Sequence, residues 1–474
     1  MSKTVTIDPV TRIEGHAKIT IMMNDDGSVD EARLHITQFR GFERICEGRP
    51  FYEMPSLMAR ICGICPVSHL VASAKACDSL LAVAVPETGA RLRRIMNLAQ
   101  IVQSHSLSFF HLSSPDLLLG MDASPASRNI MALVSSHPQA AKDGIALRRF
   151  GQHIIELLGG KRIHPAWIVP GGVSAPLTQE HRDEILATIP EAMEAIQRTL
   201  GWFKPSLEKF HEEIGVFANF PTLLMGLVTS NGDLEHYDGR LRFANPDGTP
   251  RMDDIAPERF NEFIGEAVED WTYLKFPYFL PDGYPNGIYR VGPLARLNMV
   301  GRCGTPLADA ELQEYRQLST EERLSSFHYH WARLIEVLYG IERIKEIVSD
   351  PDILDTHVRA HAEPNRSEGI GVSEAPRGTL MHHYKIDDNG LITWSNLIIA
   401  TGHNNLAMNK GITQAAKHYI NGFDIPEPLL NRVEAVIRTY DPCLSCSTHA
   451  FGQMPIRLQL IDRTGVVMKE VTRQ

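Results

Sequence analysis

The residues best suited to chemistry are four cysteines, in two Cys-X-X-Cys pairs at opposite ends of the 474-residue chain. Cys62 and Cys65 lie in RICGICPVSH, and Cys443 and Cys446 lie in DPCLSCSTH. Each pair can present two thiolates to one metal from a single turn of chain. Four such soft ligands suit zinc, an iron-sulfur cluster or a low-valent late transition metal. The pairs therefore predict a tetrathiolate metal site.

Two common interpretations of Cys-X-X-Cys pairs fit this spacing poorly. A zinc ribbon separates its pairs by about 15 to 20 residues, whereas here almost the whole chain lies between them. A thioredoxin-like site follows a βαβ pattern, which neither pair does. A disulfide framework is not expected, because the seven cysteines are an odd number. The other three have no common spacing and are expected to be small buried hydrophobic residues: Cys46, Cys77 and Cys303.

A fold that unites the pairs must bring the two ends of the chain together. Alternating apolar residues at 5–7, 17–23 and 29–36 predict a small N-terminal sheet. From about residue 56, apolar residues recur at three- and four-residue intervals and predict a helical middle of the molecule. The clearest helical patterns lie at 91–112, 181–203, 320–348 and 426–440. Alternation returns at 378–401 and 453–471, which predicts a second hairpin and two final strands.

Composition limits the classes of function. The chain is 43% hydrophobic and 22% charged, as expected of a globular protein with a large core, and it contains no linker-like tract. Its formal net charge of -10 argues against a nucleic-acid surface. It has no apolar run of the ~20 residues that span a membrane and no signal peptide or twin-arginine leader. We therefore expect a cytoplasmic protein without a membrane span.

Three further segments accompany the cysteine pairs, namely TRIEGH at 11–16, RGFE at 40–43 and EAPRG at 374–378. In this order the five motifs resemble those of nickel-iron hydrogenase large subunits, and the resemblance spans the chain. It implies a mainly α (α+β) fold with a central helical bundle and small peripheral antiparallel sheets. It also implies one catalytic domain over residues 1–449 that cleaves H2 reversibly and heterolytically. A zinc-bound tetrathiolate remains the alternative.

The resemblance assigns a role to each paired cysteine. Cys62 and Cys443 would be terminal ligands of nickel, and Cys65 and Cys446 would bridge nickel to iron. The iron would carry CO and cyanide, which spacing alone cannot reveal. The thiolate of Cys443 would be the first proton acceptor when H2 is split, because a basic thiolate beside the metals can take the proton.

Glu14 in RIEGH is the candidate proton relay. The resemblance implies that its carboxylate carries protons from the terminal thiolate towards solvent. The alternative is an ordinary ion pair with Arg12.

Arg377 in EAPRG is the candidate residue at the open coordination position. The resemblance implies that Arg377 and the preceding Pro376 lie beside the metal pair. It also implies that Asp116 and Asp441 hold the guanidinium, which could then polarise H2 or orient a base. The alternative is a buried ion-pair network without a catalytic role.

A magnesium site is implied near the second cysteine pair. Its ligands would be Glu43, His449 and a backbone carbonyl at Leu397. Magnesium prefers oxygen ligands, so another divalent ion could take this position. The segment after Leu397 reads Ala400-Thr401-Gly402 rather than the Pro-Ser/Thr-Thr-Trp common in the family, which weakens the Leu397 assignment.

His69, four residues after Cys65, resembles the family histidine that hydrogen-bonds a bridging thiolate. Ordinary core packing is the alternative. The adjacent pair His382-His383 has no pattern that distinguishes a ligand from any other histidine.

The 25 residues after His449 resemble a C-terminal extension that a maturation protease removes once nickel is loaded. Cleavage would fall between His449 and Ala450, which makes 450–474 a removable segment. The three remaining cysteines cannot ligate an iron-sulfur cluster, which needs four thiolates. We therefore expect a partner, the iron-sulfur small subunit. The segment GIGVSEAPRG lacks the third glycine of a dinucleotide fingerprint, so NAD and flavin are expected on diaphorase subunits rather than on this chain.

The amino-acid sequences of these motifs most resemble those of soluble, bidirectional, NAD-coupled hydrogenases. Related cytoplasmic enzymes that use coenzyme F420 or another acceptor are the first alternative. A non-enzymatic homologue of the respiratory complex I type should lack the paired cysteines, and this chain has all four. An H2-sensing homologue should lack the extension beyond His449, which is present.

Overall fold

The computed structural model of the protein describes residues 3–38, 41–448, 456–461 and 467–473. Helices form the bulk of the core. Within the described residues the α-helices are α1 (Phe42–Cys46), α2 (Met54–Met58), α3 (Pro66–Leu81), α4 (Glu87–Leu107), α5 (Ser114–Leu119), α6 (Ile130–Ser136), α7 (Pro138–Gly159), α8 (Gln179–Ser206), α9 (His211–Val216), α10 (Pro293–Met299), α11 (Pro306–Tyr315), α12 (Thr320–Leu324), α13 (Tyr329–Ser349), α14 (Ala400–His403), α15 (Asn405–Tyr419), α16 (Glu427–Tyr440) and α17 (Leu444–Ser447).

Small sheets surround this helical core. Their strands are β1 (Lys3–Ile7), β2 (Ala17–Met23), β3 (Val29–Ile36), β4 (Ile168–Val169), β5 (Gly172–Val173), β6 (Leu223–Val228), β7 (Arg240–Ala244), β8 (Pro250–Ile255), β9 (Ile264–Ala267), β10 (Phe276–Phe279), β11 (Tyr289–Arg290), β12 (Glu368–Ala375), β13 (Gly378–Ile386), β14 (Ile392–Ile398), β15 (Ile456–Ile461) and β16 (Val467–Arg473). The sheet orders are β1-β2-β3, β4-β5, β11-β6-β7-β8, β10-β9, β12-β13-β14 and β15-β16. All these pairings are antiparallel except the parallel β11-β6 pair.

The helical core is built from α4, α7, α8 and α13, which pack against one another. Glycines allow α7 to approach α4 closely. A Cβ atom at Gly151 would lie 2.3 Å from the carbonyl oxygen of Ala99, and one at Gly144 would lie 2.5 Å from the Phe110 ring. Close helix packing therefore depends on side-chain-free positions in α7. None of the helices among the described residues is long and apolar enough to cross a membrane.

Several sequence predictions of secondary structure are confirmed. The three N-terminal strands, the hairpin formed by β13 and β14, α16 and the two final strands all lie where the patterns indicated. The alternation of buried and half-buried residues along β2 matches a sheet with one face on the core.

The middle of the chain departs from the prediction in two ways. The helix predicted over 320–348 is broken into α12, a short 3-10 turn (Ser326–His328) and α13, because Ser325 leaves the helical conformation and its side chain caps the 3-10 turn. The predicted helical middle also contains β4 to β12. Every residue of β6 is buried, and a short, wholly apolar run has no period that separates a strand from a helix.

The two ends of the chain meet beside α3. The backbone of Glu14 forms an isolated parallel bridge with Cys443, and the amide of Leu444 donates to the Glu14 carbonyl at 3.1 Å. Cys62 and Cys65 lie immediately before α3, which packs against β12 and β13. This junction brings together motifs that are distant in sequence, since Cys62 and Cys443 are 381 residues apart.

Candidate metal centre

The two Cys-X-X-Cys pairs converge in the core. The sulfur atoms of all four cysteines lie within 4.8 Å of one another. The sulfurs of Cys62 and Cys443 are 3.4 Å apart, and those of Cys65 and Cys446 are 3.7 Å apart. All four are free thiols, and none is more than 5% exposed. The geometry of a tetrathiolate site, as predicted, is therefore present.

Local backbone structure holds each pair in place. Cys65 is the residue that precedes α3, and the amides of Ile64 and Cys65 both donate to the Cys62 sulfur at 3.2 Å. Cys443 precedes α17, and its amide donates to the Thr401 hydroxyl at 3.0 Å. The sequence did not predict this contact, because Thr401 appeared there only as part of Ala400-Thr401-Gly402, the segment that departs from the family motif.

The charge of the cluster determines what it can bind. Burial raises the pKa of Cys443 and of Cys446. Hydrogen bonds from the neighbouring thiols, first that of Cys443, lower the pKa of Cys62. One thiolate can therefore exist among these sulfurs, but four thiolates in a buried site require a cation. Thiolate sulfur is a soft ligand, so the donor set fits a late transition metal.

Glu14 lies against the second cysteine pair. Its carboxylate accepts a hydrogen bond from the amide of Ser445 at 3.1 Å and another from the Ser445 hydroxyl. Together with the backbone bridge to Cys443, these bonds fix the carboxylate beside the cysteine cluster. Ser445 stands between the two cysteines of its pair, and the sequence reasoning did not identify it.

Arg377 and Asp441 form a buried ion pair beside the cysteines. Nε of Arg377 donates to the Asp441 carbonyl at 2.5 Å, and its Nη2 lies 3.0 Å from the Asp441 carboxylate. Nη1 donates to the Ser104 hydroxyl at 3.3 Å. Pro376 and Arg377 line one small cavity together with Cys65, Cys443 and Cys446. The predicted contacts of Arg377 with Asp441 and with the site are thus present.

The predicted contact between Arg377 and Asp116 is wrong. Asp116 instead lies among three other arginines, with Nη2 of Arg12 at 2.6 Å, Nε of Arg438 at 3.1 Å and Nε of Arg128 at 3.6 Å. Asp116 follows a π-helical segment (Ser108–Ser113), and such a segment changes the helical phase of the residues after it. The ion pair of Arg12 with Asp116 also replaces the alternative pairing of Arg12 with Glu14.

His69 lies in α3 and lines the cavity that contains the cysteines. Its Nδ1 is hydrogen-bonded to Nε2 of His382 at 3.2 Å. Burial lowers the pKa of His69 to about 4, so the ring is neutral at physiological pH. His382 lies 313 residues away in sequence, and no local pattern marked it as a neighbour.

The predicted magnesium site is only partly described. Glu43 lies in α1, which packs against β14, the strand that contains Leu397. The Ser395 hydroxyl in β14 donates to the Glu43 carbonyl at 3.1 Å. His449 and Ala450 lie outside the described residues, so the third ligand and the processing site stay predictions.

Comparison with known proteins identifies the chain's relatives. The family model described as nickel-dependent hydrogenase matches residues 40–146 and 246–449, and a model described as HoxL-like matches residues 4–39. The beta subunit of the NAD-reducing hydrogenase HoxS from Cupriavidus necator is 40% identical, over 100% of both chains. The chain belongs to the nickel-dependent hydrogenase family. Another relative, from the F420-non-reducing hydrogenase vhu of Methanococcus voltae, is 43% identical, over 87% of this chain and 98% of its own.

Solved hydrogenase structures share the fold. The crystal structure of an NAD+-reducing NiFe-hydrogenase in its H2-reduced state matches with a TM-score of 0.92 and 43% identity. That match covers 94% of this chain and 99% of the other. The NiFeSe hydrogenase from Desulfovibrio vulgaris Hildenborough, at 24% identity and a TM-score of 0.75, shows the same fold. The predicted family, enzyme class and large-subunit fold are therefore confirmed, and a nickel-iron centre replaces zinc as the metal group implied for the four cysteines.

A buried charge network in this hydrogenase clamps the segment before Arg377. Arg296 pairs with Glu336 and Glu374, both at 2.6 Å, and all three side chains are fully buried. Arg296 also donates to the carbonyl of Ala375 at 3.1 Å. The clamp thus connects α10 and α13 to the backbone that carries Arg377. In the sequence, the only sign of this network is that Arg296 and Glu336 are ionisable residues within otherwise apolar helical segments.

Gly15 sets the position of Glu14 in the hydrogenase site, and its substitution gives a first prediction. Gly15 has a φ of +87°, and a Cβ atom there would lie 2.8 Å from Cβ of Leu444. Gly48 has a similar φ of +77° but open space around it, so Gly48→Ala is a matched control. Backbone strain in either variant should cost about 1–2 kcal/mol of unfolding free energy. Gly15→Ala should lose a further ~1–3 kcal/mol from the steric overlap.

Denaturant unfolding of the two variants measures this difference. Equal losses would show that the contact between Gly15 and Leu444 does not constrain the junction of the chain ends.

Proposed function

We propose that this hydrogenase subunit cleaves and forms H2 reversibly, and that its electrons leave through a partner iron-sulfur subunit to NAD+ on a diaphorase module. The observation that carries the proposal is the convergence of four cysteine sulfurs within 4.8 Å, beside a fixed carboxylate and a buried guanidinium. Cys62 and Cys443 would bind nickel as terminal ligands. Cys65 and Cys446 would bridge nickel to an iron that carries CO and cyanide. When bound, this centre would supply the acceptor for the hydride that heterolytic cleavage of H2 produces, and the electrons of that hydride would leave through the partner subunit.

The protein's own side chains handle the proton. Sγ of Cys443 accepts it, and the carboxylate of Glu14 receives it next, because the backbone bridge places Glu14 beside Cys443. Ser445 holds that carboxylate in one orientation. Glu14 is only partly buried, so it can pass the proton on towards solvent. An oriented carboxylate next to a thiol is the arrangement that general acid-base transfer requires.

Arg377 supplies a fixed positive charge at the same cavity. Burial alone lowers its pKa, but the charges of Asp441 and the cysteines outweigh this effect and raise the pKa. The guanidinium therefore stays charged in a site from which water is excluded, where its field is strong. In this role Arg377 polarises H2 and orients the proton-accepting thiolate, while Asp441 keeps it in place. Asp116, which lies in another cluster, would support the fold near α16 rather than hold Arg377.

Electrons require carriers on other subunits. The three cysteines outside the site are divided between two hydrophobic clusters, with Cys303 in one and Cys46 and Cys77 in the other. An iron-sulfur cluster needs four thiolates. We therefore place the iron-sulfur clusters on a small subunit, and the flavin and NAD on diaphorase subunits.

Among electron acceptors we favour NAD+. The relative that covers the full length is named as an NAD-reducing enzyme, and so is the structure with a TM-score of 0.92. Other relatives of 38–43% identity are named as F420-non-reducing hydrogenases, which keeps a different acceptor as the second candidate. H2-dependent reduction of NAD+ by the assembled complex tests the acceptor; reduction of another carrier alone would favour the second candidate.

Three further proposals concern maturation and location. Glu43, the Leu397 carbonyl and His449 would bind magnesium or another divalent ion. A maturation protease would cleave between His449 and Ala450, which would separate 450–474 from the catalytic domain. We also propose that the enzyme acts in the cytoplasm.

Replacing one cysteine of the site tests the proposed metal centre. The Cys446→Ala variant, purified without oxygen from a host that supplies hydrogenase maturation, should contain no nickel and show no infrared bands of CO or cyanide. Cys303→Ala removes an equally buried thiol outside the site and should keep both. Metal analysis and infrared spectra of the two variants and the parent show whether Cys446 is needed to bind the metal centre. A parent without these bands, or bands that persist in Cys446→Ala, would contradict the proposal.

A further inference from the structure

A row of four hydrogen-bonded side chains leads away from the metal centre into the core. Nδ1 of His69 lies 3.2 Å from Nε2 of His382, and Nδ1 of His382 lies 2.7 Å from the hydroxyl of Tyr384. That hydroxyl lies 2.8 Å from Oγ of Ser73. None of the four residues is more than 1% exposed. Water therefore does not compete for these bonds, and each must be satisfied within the row.

Two secondary-structure elements build this row. His69 and Ser73 are four residues apart in α3 and lie on one face of that helix. His382 and Tyr384 are two residues apart in β13 and point to one face of the strand. One helical turn and two strand residues have similar lengths, about 5–7 Å each. The packing of α3 on β13 therefore brings both pairs into register.

Both histidines in the row are neutral. Both rings are buried, and neither forms an ion pair with a carboxylate among the described residues, so an imidazolium in the row would be a buried charge without a partner. A neutral imidazole carries one N–H donor and one acceptor nitrogen. The hydrogen bonds along the row must therefore all run in the same direction.

The acceptor character of the cysteine thiolates determines the direction in which these hydrogen bonds run. His69 lines the cavity of Cys65, Cys443 and Cys446, and His382 occupies its Nδ1, which leaves Nε2 for the cavity. If His69 donated to His382, its Nε2 would be a lone acceptor facing thiolates, which are also acceptors. A buried acceptor without a donor costs about 1–3 kcal/mol. In the opposite direction Ser73 donates to Tyr384, Tyr384 to His382 and His382 to His69, so that Nε2 of His69 carries a proton.

We propose that His382, Tyr384 and Ser73 are positioning residues that hold His69 in the tautomer whose Nε2–H donates into the metal centre. The inference rests on the proposed function, because it needs ligand thiolates in the cavity. A donor at this position stabilises the charged form of a thiolate and lowers its basicity. The row thereby controls the electron density at the cysteine ligands from a strand that contributes no ligand itself.

Variants of His382 and Tyr384 test the row. His382→Leu removes the donor to His69 and should shift the infrared bands of CO and cyanide while lowering kcat about 10- to 100-fold, with the KM for H2 unchanged. His382→Gln keeps an amide donor and should restore the parent bands in large part. Tyr384→Phe removes the hydroxyl that fixes His382 and should shift the bands in the same sense as His382→Leu. Tyr315→Phe is the matched control, because it removes another buried hydroxyl, one that accepts from Asn298 and does not line the cavity of the cysteines.

The outcomes separate this inference from the proposed function. A parent enzyme without the bands contradicts the proposed function itself. A parent with bands, together with His382→Leu or Tyr384→Phe spectra that match Tyr315→Phe, overturns the role of the row alone. If His382→Leu takes up no nickel, Tyr384→Phe and His382→Gln decide the question by the same spectra.

Discussion

Replacing Glu14 by glutamine is expected to leave the metal content intact while H/D exchange between H2 and solvent falls by about 10²- to 10⁴-fold. The amide that replaces the carboxylate can still accept from the amide of Ser445, so the junction beside Cys443 should persist. It cannot take up a proton, so the path from the thiolate towards solvent is interrupted. Membrane-inlet mass spectrometry measures the exchange, and metal analysis verifies nickel and iron.

A second glutamate offers an unusually close control for this experiment. Glu322 accepts hydrogen bonds from both the amide and the hydroxyl of Ser319, at 2.9 and 2.8 Å, much as Glu14 does from Ser445. Glu322 caps α12 at the surface, away from the cysteines. Glu322→Gln should therefore leave exchange unchanged. Full exchange in Glu14→Gln, with metals retained, would remove Glu14 from the proton path.

Arg377→Lys is expected to retain nickel but to lower turnover by about 10²- to 10³-fold. The guanidinium of Arg377 contacts the Asp441 carbonyl, the Asp441 carboxylate and the Ser104 hydroxyl at once. A lysine ammonium has one nitrogen and cannot occupy these positions together, so the charge would move relative to the cavity. Turnover in both directions of the reaction, set against nickel content, measures the effect.

Arg343→Lys is the control for the Arg377 substitution. Arg343 likewise joins a carboxylate to a backbone carbonyl, those of Glu346 and Gly304, but it lies outside the metal site. This variant should keep its turnover. Turnover of Arg377→Lys equal to that of Arg343→Lys would support the alternative in which Arg377 belongs to a purely structural ion pair.

The sequence predicted the cluster of four cysteines because they come in two short motifs. A Cys-X-X-Cys pair places two sulfurs close together through local geometry alone, and the order of five motifs identified the family. Elements with clear periodicity, such as β2, α16 and the β13-β14 hairpin, were predicted for the same reason. Each of these features depends on residues that are neighbours in sequence.

Features that depend on packing between distant segments were missed or misassigned. Asp116 was assigned to Arg377, but the phase of the π-helical segment before it and the approach of α16 place it with Arg438. His382 contacts His69 because β13 packs on α3, which no local pattern encodes. β6 was not recognised as a strand because all of its residues are buried. In the first two cases the deciding contact joins segments that are distant in sequence, and in the third the uniform burial of the strand removes the alternation that would mark it.

The contacts of Glu14 with the second cysteine pair have a consequence for the order of assembly. Glu14 and Ser445 are 431 residues apart in sequence. Closing so long a loop is entropically costly, and contacts of such sequence separation form late in folding. The contact between Glu14 and the second cysteine pair is therefore expected to form after the helical core. A chain whose synthesis stops early lacks half of the metal ligands, however well its core folds. Assembly of the four-cysteine site therefore requires a chain that is synthesised at least as far as Cys446 and folded so that its N-terminal and C-terminal motifs meet.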